Sequence, residues 1–299
     1  MVDYSVPSCS TIVLIIATAE EISFVMMPKN IKTLLKTLGY SLTSYRSRWL
    51  YQACRFYADR YQGLNNDDVA FNGELHLLQQ ILPASQVVFD VGANVGLWTQ
   101  LALEINPQAT FHCFEPNAAV FEQLQNRQFP ITVNRRNVGL SNTAGQRELH
   151  IFEETSTMSS LYQRRGLESY NIANSQFTEL IVLETLDNYC QQHAIDNIDF
   201  LKMDVEGHEL QVLQGATRLL TEQRIQLIQF EYGGCNIDAK VLLRDFFDLL
   251  GPLGYTLYKV LPTHLETVPS YTQQYENFQY QNWLASLDNT LPHQIVGNA

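Results

Sequence analysis

From Val87 onward short β-branched runs alternate with amphipathic runs, the pattern of stacked βαβ units and hence of a mostly parallel sheet. Strands are expected over Val87 to Val91, Ala109 to Glu115, Ile131 to Asn134, Ile198 to Asp204, Ile225 to Glu231 and Tyr255 to Val260. Helices are expected over Gly96 to Ile105, Ala118 to Arg127, Thr185 to His193, Glu209 to Leu220 and Ala239 to Leu250. Arg147 to Phe152 and Leu180 to Glu184 read as an inserted hairpin. Ahead of this pattern, residues 29 to 62 are rich in Leu, Tyr and Arg and compatible with helix, with Gly39 as a break. The expected organisation is a mostly helical extension over 1–70 and one α/β domain over 71–299 with an insert near 146–186.

Composition narrows the partners. Apolar residues make up 45% and charged residues 17% of the 299, which excludes a disordered acidic chain and a coiled coil. The net charge of −12 repels phosphate backbones, so nucleic acid is not expected as a partner. That charge is uneven: Lys29, Lys32, Lys36, Arg46, Arg48, Arg55 and Arg60 stand against Asp59 alone in segment 26–60. This basic stretch is expected to cover the acidic domain in preference to an anionic membrane. Five scattered cysteines without C-x-x-C spacing suggest neither a disulfide framework nor a zinc site, and point to a reducing cytoplasm. The apolar run TIVLIIATA falls well short of the ~20 residues of a membrane span, so no integral membrane segment is expected. No basic region precedes it to make a signal peptide; translation from Met26 or Met27 is the simpler expectation, and removal of residues 1 to 25 should leave folding and activity intact.

The stretch VVFDVGANVGLWT, residues 87 to 99, is a buried strand running into a glycine-bearing turn and a helix start, whose free N–H groups suit a ligand. A dinucleotide fingerprint needs G-x-G-x-x-G, but Asn94 and Leu97 stand where the second and third glycines belong. A dinucleotide-dependent oxidoreductase is therefore the weaker alternative. Glu115, at the end of the second strand, is placed to clasp a ribose diol. A strand-end Asp90, a Gly-Asn-Gly turn and this carboxylate together describe a site for a nucleoside without phosphates, and the cationic S-adenosyl-L-methionine fits an acidic domain.

Five blocks in order, DVGANVG (90–96), FEP (114–116), NVGLSN (137–142), MSSL (158–161) and LKMDVEGHELQVLQGA (201–216), resemble the FkbM-type methyltransferase family. The similarity covers roughly Glu74 to Lys259. It implies a Rossmann-like class I methyltransferase fold, a seven-stranded, mostly parallel sheet with one antiparallel strand, and O-methyl transfer from S-adenosyl-L-methionine onto a sugar, glycan or polyketide-type hydroxyl. Block by block it implies Gly92, Ala93, Asn94 and Gly96 as the methionine-contacting loop, Glu115 and Pro116 at the ribose, Asn137 and Val138 at the adenine edge, and Asp90 as the residue orienting the loop. Gly139 and His208 depart mildly from the family pattern. A degenerate module that binds the donor without turnover is the second alternative.

In KMDVEGHE (202–209), period-two alternation would put Lys202, Asp204 and Glu206 on one face of a strand. Such charges must pair with each other or with a ligand, because unpaired buried charge is costly. Methyl transfer to an alcohol needs positioning and a proton acceptor. The candidates are Asp204, Glu206, His208 and Glu231, with Asp204 expected at the transfer centre and in contact with the donor. Asp204 and Glu231 end neighbouring strands, yet two acids fall short of a Mg²⁺ shell, so no metal is expected. The insert, with Met158, Ser159, Ser160, Tyr162, Arg164, Arg165 and Tyr170, is expected to cap the acceptor site.

Overall fold

Eight strands share one sheet in the computed structural model, which describes residues 29–44, 47–152, 159–166, 177–287, 291 and 295–296. They are β1 (Val87–Val91), β2 (Thr110–Phe114), β3 (Val133–Arg136), β7 (Ile198–Met203), β8 (Ile225–Tyr232), β9 (Tyr255–Val260), β10 (Leu265–Val268) and β11 (Gln281–Leu287). The spatial order is β3-β2-β1-β7-β8-β11-β9-β10. Pairs β3–β2, β2–β1, β1–β7 and β7–β8 are parallel, whereas β11 runs antiparallel to both β8 and β9. The first seven in that order are the expected seven-stranded, mostly parallel sheet with its one reversed strand, and β10 adds an antiparallel edge to β9. A second sheet, β4 (Gly139–Leu140), β6 (Phe177–Glu184) and β5 (Gly145–Ile151), contains the expected hairpin, β5 with β6.

The large sheet is buried on both faces, which is why its parallel strands read as continuous apolar runs. One face carries Phe89, Leu201, Met203, Ile228 and Phe230 against α6 (Leu186–Gln192), α7 (Glu209–Gln214), α8 (Thr217–Thr221) and α10 (Leu243–Leu250). The other carries Val88, Phe111, Phe200 and Leu227 against α3 (Glu74–Ile81), α4 (Leu97–Ile105) and α5 (Ala118–Asn126). Since β1 leads to β2 on one side and pairs with β7 on the other, the chain reverses direction across the sheet there, and a crevice opens at the carboxyl ends of these strands.

Several boundaries differ from expectation for identifiable reasons. Ile131 is fully exposed, and the third strand runs from Val133 to Arg136. The helix expected over Glu209 to Leu220 is broken at Gly215, where a Cβ would lie 2.1 Å from the Ser141 carbonyl oxygen. Its second half, α8, is capped separately: the Asp187 carboxylate accepts from the N–H groups of Arg218 and Leu219. Likewise Ala239 to Leu250 divides into α9 (Cys235–Ala239) and α10, with Lys240 left-handed at φ 57° between them. The sequence reading missed α3, β4, β10 and β11.

The chain divides into two compact units, Met1–Tyr57 and Ala58–Ala299. The helices α1 (Lys29–Ser44) and α2 (Arg48–Tyr61) begin it. Residues before 70 already belong to the second unit: Leu64 and Asn66 are buried, and the Asn65 N–H donates to the Tyr280 carbonyl. Among the described residues no helix is long and apolar enough to cross a membrane. TIVLIIATA, Arg46, Met158 and Tyr170 lie outside the described residues.

Candidate active site

The crevice is a cleft with two unlike walls. One is the ends of β1, β2 and β7, supplying Gly92, Asn94, Glu115, Pro116, Asp204, Glu206 and His208; the other is apolar, with Leu140, Leu149, Leu161, Ile181 and Leu183. Val138 and Gly139 also line it.

On the β1–β2 side the backbone sets the geometry. Gly92 is left-handed at φ 79°, and a Cβ there would lie 1.8 Å from the Asp204 carbonyl oxygen, so only glycine lets β1 and β7 end this close together. The N–H groups of Gly92 and Ala93 both donate to the Phe114 carbonyl, which fastens the loop to β2. Glu115 follows, buried, with Oε2 accepting from the Asn94 N–H at 3.0 Å and Oε1 from the Asn117 N–H at 2.9 Å. Burial pushes its pKa up to about 7 against the pull of those two amides, and Asp90 and Asp204 add to the rise.

The remaining residues expected in this half stand behind the cleft. Asp90 is fully buried and accepts from Thr99 Oγ1 at 2.6 Å and from Lys202 Nζ at 3.1 Å, so it anchors α4 and Lys202. Ala93 packs in the core and Gly96 beneath Leu124 and Phe129. Asn137 is exposed and donates to the carbonyls of Glu115 and Pro116, holding the loop that carries the carboxylate.

Lys202 collects the acids at the centre. Burial alone would lower its pKa, but Asp90, Asp204, Glu74 and Glu231 hold it well above its usual range, so it is a fixed cation. Its Nζ lies 3.7 Å from Asp204 Oδ2 and 5.6 Å from the Trp98 ring centroid. Asp204, with its side chain 36% exposed, is the member that opens to the cleft. Glu231 is bound by the Tyr280 hydroxyl at 2.7 Å, and burial together with the Asp204 charge raises its pKa well above the carboxylate range. Glu74 was not expected here: buried on α3, it accepts from Trp98 Nε1 and Gln229 Nε2. Its only sequence signal is an acid opening an amphipathic run.

The expected alternation of Lys202, Asp204 and Glu206 stops at Asp204, because β7 ends at Met203 and a turn follows. Glu206 is left-handed at φ 53° and faces the insert, where its Oε2 accepts from Arg164 Nη1 at 2.6 Å. Burial and the neighbouring Asp204 push its pKa up to about 8 despite that guanidinium. His208 is buried, with its Nδ1 2.9 Å from the Tyr162 hydroxyl and its Nε2 2.9 Å from Ser141 Oγ. Burial, with the Arg147 charge, lowers its pKa to about 4, so it is a neutral bridge between the insert and the small sheet. Arg164 is buried, and its Nε also lies 3.6 Å from Asp238 Oδ2, so its charge is paired within the fold. Glu209 accepts from the N–H groups of Val205 and Gly207, shaping the same turn. Among the described residues no group of three or more His, Cys, Asp or Glu could hold a metal ion.

A model of the Methyltransferase FkbM domain matches residues 90–257. The chain belongs to this family. As an FkbM-family methyltransferase it takes its methyl group from S-adenosyl-L-methionine, and family membership sets aside the oxidoreductase reading. Curated relatives include the 2-O-methyltransferase NoeI of Sinorhizobium fredii, 29% identical over 175 residues that cover 55% of this chain and 70% of NoeI. The hexuronic acid methyltransferase AglP of Haloferax volcanii is 27% identical over 173 residues, 57% of this chain and 66% of AglP. The 31-O-demethyl-FK506 methyltransferase FkbM of Streptomyces tacrolimicus is 29% identical over 157 residues, 45% of this chain and 60% of that relative. The matched segment thus spans about two thirds of these relatives.

Proposed function

We propose that the cleft carries out O-methylation of a hydroxyl on a sugar, glycan or polyketide-type acceptor, with Asp204 accepting the proton. The observation that carries this reading is the pair of unlike carboxylates on one cleft wall: Glu115, pinned by two amides, and Asp204, open to the cleft beside a fixed cation. Family relatives named for 2-O, hexuronic acid and 31-O-demethyl-FK506 methylation support an oxygen acceptor of this class.

The residues present fit the donor. Each Glu115 oxygen uses one lone pair on an amide and keeps another for a ribose hydroxyl. Phe114, Pro116, Val138 and Leu183 line an apolar slot beside it for an adenine ring, and Gly92, packed against the Asp204 backbone, brings the loop and Asp204 to the same cleft. S-adenosyl-L-methionine supplies an activated methyl group on a sulfonium. Of the four acids and bases expected at the transfer centre, His208 has both nitrogens engaged, Glu206 is tied to Arg164, and Glu231 is bound by Tyr280. Asp204 remains, steadied by Lys202 yet accessible. An Asp204 carboxylate oxygen would take the acceptor hydroxyl's proton as the methyl group passes to that oxygen, the sulfur keeping the electron pair of the broken carbon–sulfur bond and leaving as a neutral thioether.

A screen of sugars, hexuronates and polyketide alcohols with labelled donor tests the reading, with methylation at oxygen as the expected product. Calorimetric donor binding without transfer to any acceptor would favour the binding-module alternative. With an acceptor in hand, Asp204→Asn should lower turnover about 10²-fold with little change in donor affinity. A purely structural link to Lys202 predicts a lower melting temperature and normal turnover instead.

A further inference from the structure

The two N-terminal helices share a pattern that the methyl-transfer reading does not use. On α1, Lys29, Lys32 and Lys36 lie along one side at helical spacing, while Ile31, Leu34 and Leu35 lie along another. On α2 Arg48, Gln52, Arg55 and Asp59 form a polar stripe, and Trp49, Ala53 and Phe56 lie along the side next to it. These apolar stripes are not core. No residue of α2 is buried, Trp49 is 75% exposed, and Ile31 and Leu34 are 41% and 52% exposed.

We propose that α1 and α2 dock the protein on an anionic lipid surface, each lying in the headgroup plane. At 16 and 14 residues they are short of the ~20 needed to span, so they lie on the membrane and do not cross it. The charge fits one class of partner: seven bases against one acid in segment 26–60 attract phosphate and carboxylate headgroups. Trp49, exposed and with an apolar ring body and a polar tip, is the side chain that favours such an interface. The acidic surface of another copy would satisfy the bases but gives no place to the Ile31, Leu34 and Trp49 side chains. Exposed apolar side chains beside the bases point to a surface with both anions and hydrocarbon.

The test mixes the full chain with phosphatidylcholine vesicles with and without phosphatidylserine. Partition should be at least roughly tenfold higher into the anionic vesicles and should fall with added salt. Tryptophan emission reports the contact directly, because Trp98 and Trp283 are buried and Trp49 is exposed. A blue shift on vesicle addition, absent in Trp49→Phe, is expected. Lys29→Glu with Lys36→Glu, and separately Trp49→Ser, should weaken partition while leaving melting temperature and calorimetric donor binding unchanged. Equal partition into neutral and anionic vesicles would overturn the proposal. So would a dimer seen by light scattering without lipid that the same substitutions dissociate.

Discussion

The β1–β2 side of the cleft and the Asp204–His208 side solve the same task, placing a carboxylate, by different means. On the first, main-chain groups do the placing: Gly92 has no room for a Cβ, and Glu115 is held by two amides. On the second, side chains do it: Lys202 steadies Asp204, Arg164 holds Glu206, and Tyr162 and Ser141 hold His208. A site built from backbone accepts few substitutions, whereas one built from side-chain pairs can be re-cut by exchanging a partner. This division suits a constant donor facing a variable acceptor.

The largest break of that contrast is Gly92→Ala. The new Cβ would meet the Asp204 carbonyl at 1.8 Å in a left-handed residue, so β1 and β7 must part. Overpacking and backbone strain together should cost about 3 kcal/mol of stability, read as a lower denaturation midpoint with m unchanged, and calorimetry should detect no donor binding. Retained donor affinity would mean that the loop does not contact the donor.

Next is Glu115→Ala, expected to weaken donor binding by about 1 to 3 kcal/mol, since a charged acceptor of hydroxyl groups is lost. Its pH dependence sharpens the point. With a pKa raised to about 7, the native carboxyl keeps a proton that the unfolded chain releases, so its contribution to stability is present at low pH and is lost as pH rises from the ordinary carboxylate range through about 7. Ribose hydroxyls need the charged form as acceptor, so donor affinity runs the other way and weakens as pH falls through about 7. Glu115→Gln should flatten that profile; an unchanged profile would place the titrating group elsewhere.

Much of the first wall was legible because it is local in sequence. DVGANVG and FEP each name a strand end and its turn, and Gly92, Asn94, Glu115 and Pro116 all reach the cleft. Asp90, Ala93, Gly96 and Asn137 belong to the same blocks yet support the wall from behind, a distinction of side-chain direction that spacing does not carry. The second wall was less legible. Alternation failed at Glu206 because the strand had ended, and Arg164, Ser141 and Glu74 come from distant parts of the chain. β11 was missed because QNWLASL, buried throughout, lacks both β-branched residues and alternation. Gly215 reads as an ordinary helix residue until the Ser141 backbone is seen against it.

The smallest expected effect is that of Arg164→Ala, and it tests the side-chain-built half. Arg164 joins Glu206 at 2.6 Å to Asp238 at 3.6 Å, so its loss releases the insert from the turn that carries Asp204 to His208. Breaking a fully buried ion pair can cost about 3 to 5 kcal/mol, but Glu206 is already raised to about 8 and can shed its charge by taking a proton. A loss of about 1 to 2 kcal/mol is therefore expected, with the native Glu206 carboxyl pushed higher still. Among the described residues the β1–β2 wall shares no hydrogen bond or ion pair with Arg164, Glu206 or Asp238, so donor affinity by calorimetry should be unchanged while the acceptor KM rises several-fold. If donor and acceptor affinities fell together, the two halves would be one coupled unit, and the contrast between backbone-built and side-chain-built walls would carry no functional meaning.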